Sequence, residues 1–129
     1  MAFSLITLSI STHAEEDIEP HGPEKITQEQ WREINDYIYN HQLCLREEMV
    51  KTVEASDDAR NASNQILEIC SPHLIELKQK MVSWNIAPSF ADQYIYTKKN
   101  KAANQMLRAV MVLMANKQSV AEQSEESDY

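Results

Sequence analysis

A chain of 129 residues with one glycine and four prolines is too short for two domains and too poor in turn residues for a β-rich fold. Its 20 acidic side chains against 12 lysines and arginines leave a formal net charge of −8, which argues against nucleic acid or an anionic membrane surface as partner, because phosphate contacts need a basic face. What remains is a single all-α domain that catalyses nothing recognisable from its motifs.

Residues 3–10, FSLITLSI, are apolar but too short to span a bilayer. Thr12-His13-Ala14 then offers small residues in the pattern of a cleavage site. An export signal over residues 1–14 is therefore predicted, although it lacks the usual basic residue, and the expected location is periplasmic or secreted, with no stable membrane insertion once the signal is removed. Residues 15–26 combine acids, two prolines and Gly22 and read as a disordered acidic leader.

Helix 1 is predicted over about 27–55. Thr27 and Gln30 have the spacing of a capping box, and Ile26 and Trp31 that of a hydrophobic staple. Trp31, Ile34, Ile38, Leu45 and Met49 recur at three- and four-residue intervals as one buried stripe. Ser56-Asp57-Asp58 supplies a stop and a new N-cap, with the acids favoured at the positive end of the next helix. Helix 2 follows over 57–84, with Ala59, Ala62, Ile66, Ile69, Cys70, Leu74, Leu77, Met81 and Trp84 on one arc. A kink is expected near Pro72, since the apolar register continues past it. Pro88 punctuates the end. Helix 3 is predicted over 89–117, capped by Ser89 with Asp92 three residues on, its stripe being Ile95, Ala102, Ala103, Met106, Val110 and Leu113. Residues 118–129 are acidic and poor in apolar side chains, and read as a disordered tail.

An antiparallel three-helix bundle with helices 1 and 2 turning about residue 57 places opposite each other residues whose numbers add to 114. Cys44 and Cys70, the only cysteines, satisfy that relation. They would face each other roughly 20 Å from the turn at a rise of ~1.5 Å per residue. A disulfide there clamps the hairpin and requires an oxidising compartment, in agreement with an export signal. His41 and His73 also add to 114, giving H-x-x-C on one helix against C-x-x-H on the next. Reduced, these four side chains could close a tetrahedral metal shell. The oxidation state of Cys44 and Cys70 separates the two readings, and with the pair oxidised no metal and no cofactor is expected. Haem held between a histidine and a methionine is the remaining variant of metal binding, and three helices form a poor haem cage.

The sequence holds no H-E-x-x-H, no glycine-rich phosphate loop, no G-x-S-x-G and no C-x-x-C-H. Its carboxylates lie among polar residues on helix faces, with nothing to mark an acid–base pair. Two features exceed a plain bundle. The run Ala109–Ala115, AVMVLMA, is apolar nearly all round, so part of it should stay exposed and serve a protein partner or a second copy of the chain. Met111, Val112 and Met114 are the expected partner-binding residues. Tyr94, Tyr96, Lys98, Lys99 and Lys101 form the only dense basic patch, suited to an anion or an acidic segment.

The opening of helix 1, Ile26-Thr27-Gln28-Glu29-Gln30, resembles the L-T-x-x-Q motif of small periplasmic helical chaperones of the Spy and CpxP type, with isoleucine for leucine and one copy where that family has two. The two-cysteine hairpin is similar in layout to small exported bacterial helical proteins of unassigned function. The chaperone resemblance implies an exported, all-helical protein that holds unfolded clients on a concave surface. The expectation is thus a non-catalytic exported interaction protein, for which the resemblance implies a chaperone type. The alternative is a metal- or haem-binding periplasmic protein using His41 and His73.

Overall fold

A computed structural model of the chain describes residues 19–126, with side chains to Gln123. The apolar segment 3–10 and the cleavage site after Ala14 lie outside the described residues. Three α-helices follow a short 3-10 turn at Pro23–Lys25: α1 (Gln28–Ala55), α2 (Ala59–Ser83) and α3 (Pro88–Glu126). They pack as an antiparallel bundle in which α2 lies against both neighbours, while α1 and α3 touch less. The described residues contain no strand, only one isolated parallel bridge between His21 and Ile86.

Both ends of α1 form as the local chemistry dictates. The Gln30 N–H donates to Thr27 Oγ1 at 3.1 Å, and the Thr27 N–H donates to Gln30 Oε1 at 3.0 Å, completing the capping box. Ile26 is buried, and Trp31 packs against its cluster as the staple requires. The turn into α2 takes only residues 56–58. Asp58 Oδ1 accepts from the N–H groups of Arg60 and Asn61 and so caps α2.

Helix α2 runs through Pro72 as one element. Proline cannot donate to the carbonyl four residues back, which here belongs to Glu68. The Ser71 hydroxyl donates to that carbonyl at 2.8 Å, so the gap in the ladder is filled from the adjacent side chain. The end of α2 is a Schellman motif. Asn85 adopts a left-handed φ of 62°, the Ile86 N–H reaches Met81 O, and the Asn85 N–H reaches Val82 O. Met81 and Ile86 are buried in the same cluster, giving the apolar contact that accompanies this motif.

Helix α3 begins one residue before its expected cap. Ala87 O accepts from the Ala91 N–H, and Pro88 occupies the first helical position, where a missing N–H costs nothing. Asp92, expected to complete a cap with Ser89, instead pairs with Lys78 of α2.

Two further expectations change. The leader is built into the fold from residue 19 onward. The His21 N–H donates to Asn85 O, the Ala87 N–H donates to His21 O, and the Asn85 side-chain amide donates to Glu19 O. The α2–α3 loop has backbone groups to satisfy, and the leader supplies the partners. At the other terminus, α3 does not stop at Lys117 but continues to Glu126. Residues 118–126 contain no glycine or proline and are rich in Glu and Gln, so polarity did not imply loss of helix. Lys117 Nζ donates to the carbonyls of Val53 (3.4 Å) and Glu54 (3.1 Å), capping the last turn of α1.

The core divides in two. One cluster joins Leu45, Val53, Ala62, Ile66, Cys70, Met106 and Val110 near the α1–α2 turn. The other joins Ile26, Ile34, Leu77, Met81, Ile86 and Ala91 near the α2–α3 loop. Ile69, expected on the buried arc of α2, is instead half exposed.

Candidate functional surfaces at the waist and on the third helix

Cys44 and Cys70 form a disulfide with Cα atoms 5.8 Å apart. The hairpin geometry places them at matched height, and the bond removes both sulfurs from the four-ligand set that includes His41 and His73. Among the described residues, no group of three or more His, Cys, Asp or Glu side chains is placed to hold a metal ion. The two imidazoles remain as neighbours. Burial, and secondarily the nearby His73, lowers the pKa of His41 below its ordinary value of 6.5.

His41 lies between the two core clusters and is only 3% exposed. Two cavities flank the middle of α3, and His41 lines both. The first, about 320 Å³ between α1 and α3, has Leu45, Met49 and Met106 among its apolar walls and Arg46, Lys98 and Lys101 among its polar ones. The second, about 770 Å³ between α2 and α3, is walled mainly by Leu67, Leu74, Ile75 and Ile95, with Lys78 and Lys99 beside them. No carboxylate lines either cavity. His41 makes no hydrogen bond within the described residues, yet no fully buried side-chain nitrogen or oxygen there is left without a partner. Its ring nitrogens are therefore not fully buried.

The basic patch is placed by these same contacts. The Lys98 ammonium sits 5.4 Å from the centre of the Tyr94 ring, a cation–π geometry, and Tyr94 in turn meets Trp31 edge-on at 5.8 Å. Tyr96 points outward, 66% exposed. Burial raises the pKa of Tyr94.

Farther along α3 the structure separates the three residues expected at a partner surface. Met111 and Val112 are 56% and 61% exposed. Met114, grouped with them from the sequence, packs against the core cluster near the α1–α2 turn. Four residues separate Met114 from the buried Val110, which places the two on one face of the helix. The sequence reading also passed over Arg46 and the cavities that His41 lines. From Gln93 to Ala121 there is no Asp or Glu, while Lys98, Lys99, Lys101, Arg108 and Lys117 all fall within that stretch; this signals the cations that α3 contributes but not Arg46, which α1 brings to them. Comparison of the chain with protein-family models, with curated proteins and with solved structures finds no significant match.

Proposed function

We propose that the protein is a non-catalytic, exported interaction protein that engages another polypeptide through the outer surface of α3 at Met111 and Val112. The observation that carries this reading is the exposure of two adjacent large apolar side chains, 56% and 61%, on a helix whose opposite side is occupied by the core. Covering the part of each that is still in water would favour association by roughly 1–2 kcal/mol per side chain. The bonded cysteines support a location outside the reducing cytosol, and no helix among the described residues is long and apolar enough to cross a membrane.

The test compares the native chain with Met111→Glu in two measurements. One is light scattering of a denatured client during refolding; the other is affinity capture from the periplasm. Suppression of scattering that Met111→Glu abolishes supports a chaperone-type role. A captured set changed by the substitution, without suppression, supports a specific partner. If neither measurement distinguishes the two chains, this surface is not the binding site.

The adjacency of His41 and His73 favours a second reading, metal or haem binding. Two imidazoles supply two ligands, so an exogenous group would complete the shell. Metal analysis and an absorption spectrum of protein purified from its native compartment decide it.

A further inference from the structure

The waist of the bundle carries chemistry that the partner surface does not use. On a chain of net charge −8, the α1–α3 cavity gathers Arg46, Lys98 and Lys101 with no carboxylate among its lining residues. Among the described residues none of these three cations is in an ion pair; the two ion pairs present use Lys51 and Lys78. The cavity wall includes His41, which is only 3% exposed and makes no hydrogen bond among the described residues. An imidazole nitrogen without a protein partner still needs one, and water or a ligand supplies it. The remaining walls, Leu45 and Met106 among them, are apolar.

From this combination we propose that the α1–α3 cavity binds a small anionic amphiphile. Its carboxylate-like head group pairs with Arg46, Lys98 and Lys101 and accepts a hydrogen bond from His41, and its hydrocarbon chain lies along Leu45 and Met106. Charge complementarity selects the sign of the head group. The mixed wall selects an amphiphile over a bare inorganic anion, since an ion would leave the apolar lining facing water. The volume, about 320 Å³, is at the small-molecule scale of roughly 300–1,000 Å³, which favours a compact ligand over a length of acidic chain. Neither Met111 nor Val112 lines the cavity, so this site stands apart from the polypeptide-binding surface and does not depend on it.

The experiment is calorimetric titration of the full chain at one fixed pH, below the micellar range, with dodecanoate, dodecanol, dodecyltrimethylammonium and acetate. Dodecanoate is expected to bind with one-to-one stoichiometry, at least tenfold more tightly than dodecanol or the cationic amphiphile, and acetate to give no saturable heat. The Lys98→Gln/Lys101→Gln double variant should weaken dodecanoate at least tenfold, while Lys51→Gln, which removes a cation outside the cavity, should change it less than twofold. If the double variant loses helical circular dichroism, the exposed Arg46→Gln replaces it under the same criterion. The proposal is overturned if dodecanoate does not bind or if dodecanol binds equally well. It is equally overturned if the cavity variants match the native chain, or if acetate or a peptide of residues 122–129 competes as effectively as dodecanoate.

Discussion

A histidine at the centre of a helical bundle has two options, to be neutral and packed or to be charged and solvated, and His41 is held to the first. Burial and the neighbouring His73 both disfavour its imidazolium, and no carboxylate lines the cavities that could restore it. The sign of the resulting pH dependence follows from linkage. Below the ordinary histidine value of 6.5 the unfolded chain binds a proton that the folded chain resists, so stability is full above that pH and falls as pH drops through it toward the depressed folded-state value. Thermal melts should show a lower midpoint at pH 5.5 than at pH 7.5. His41→Gln should flatten that dependence. An unchanged slope in the variant would mean that the imidazole titrates normally in the fold.

At the residue scale the sequence was informative wherever a side chain acts on its near neighbours. The Thr27–Gln30 box, the Ile26–Trp31 staple and the Asp58 cap each depend on residues within five positions of one another, so spacing alone suffices. Met114 was legible in the same way, four residues from Val110 of the predicted stripe, whereas the cavities beside His41 depend on how α3 lies against α1 and α2, which no local pattern encodes. The docking of residues 19–26 was likewise hidden. Its partners are the backbone groups of Asn85 and Ala87, and backbone groups leave no trace in side-chain composition.

Among the elements, α2 holds the plainest conflict between propensity and packing. Pro72 removes a ladder bond that the Ser71 hydroxyl partly restores at Glu68 O. Pro72→Ala should therefore stabilise the protein by about 1–2 kcal/mol, less than the full ~3 kcal/mol cost of an interior proline, because part of that cost is already offset. Ser71→Ala should lose about 0.5–1 kcal/mol in the native background and almost nothing beside Pro72→Ala, where the restored N–H takes over the Glu68 carbonyl. Denaturant midpoints of the four chains check both numbers. Equal Ser71→Ala effects in the two backgrounds would show that the hydroxyl does not substitute for the missing donor. The expectation that the helix carries on past Pro72 rested on the unbroken apolar register, and α2 does run through it as one element. For α3, the acidic tail was misjudged because charge was read as disorder, when Ala, Glu and Gln are also good helix formers.

For the whole molecule, the hairpin relation between Cys44 and Cys70 was the most informative feature of the sequence, since it fixed the pairing of α1 with α2 before any side-chain contact was known. The bridge closes a loop with a sequence separation of 26 residues, and on the chain-entropy account it stabilises the fold by about 3.5 kcal/mol. Reduction, or the Cys44→Ala/Cys70→Ala pair, should lower the denaturant midpoint by the corresponding amount. A midpoint insensitive to reductant would mean that packing alone holds the hairpin.

Each pair of helices also has a covalent or polar long-range tie among the described residues, and these ties lie at different heights. Sulfur joins α1 to α2 midway along the hairpin, the Lys78–Asp92 pair joins α2 to α3 near their connecting loop, and the Lys117 ammonium joins α3 to the closing carbonyls of α1 at the opposite pole. The last two are surface contacts and add little energy. They mark which groups meet at each pole, and of the three ties it is the covalent bridge that resists the sliding of one rod along another.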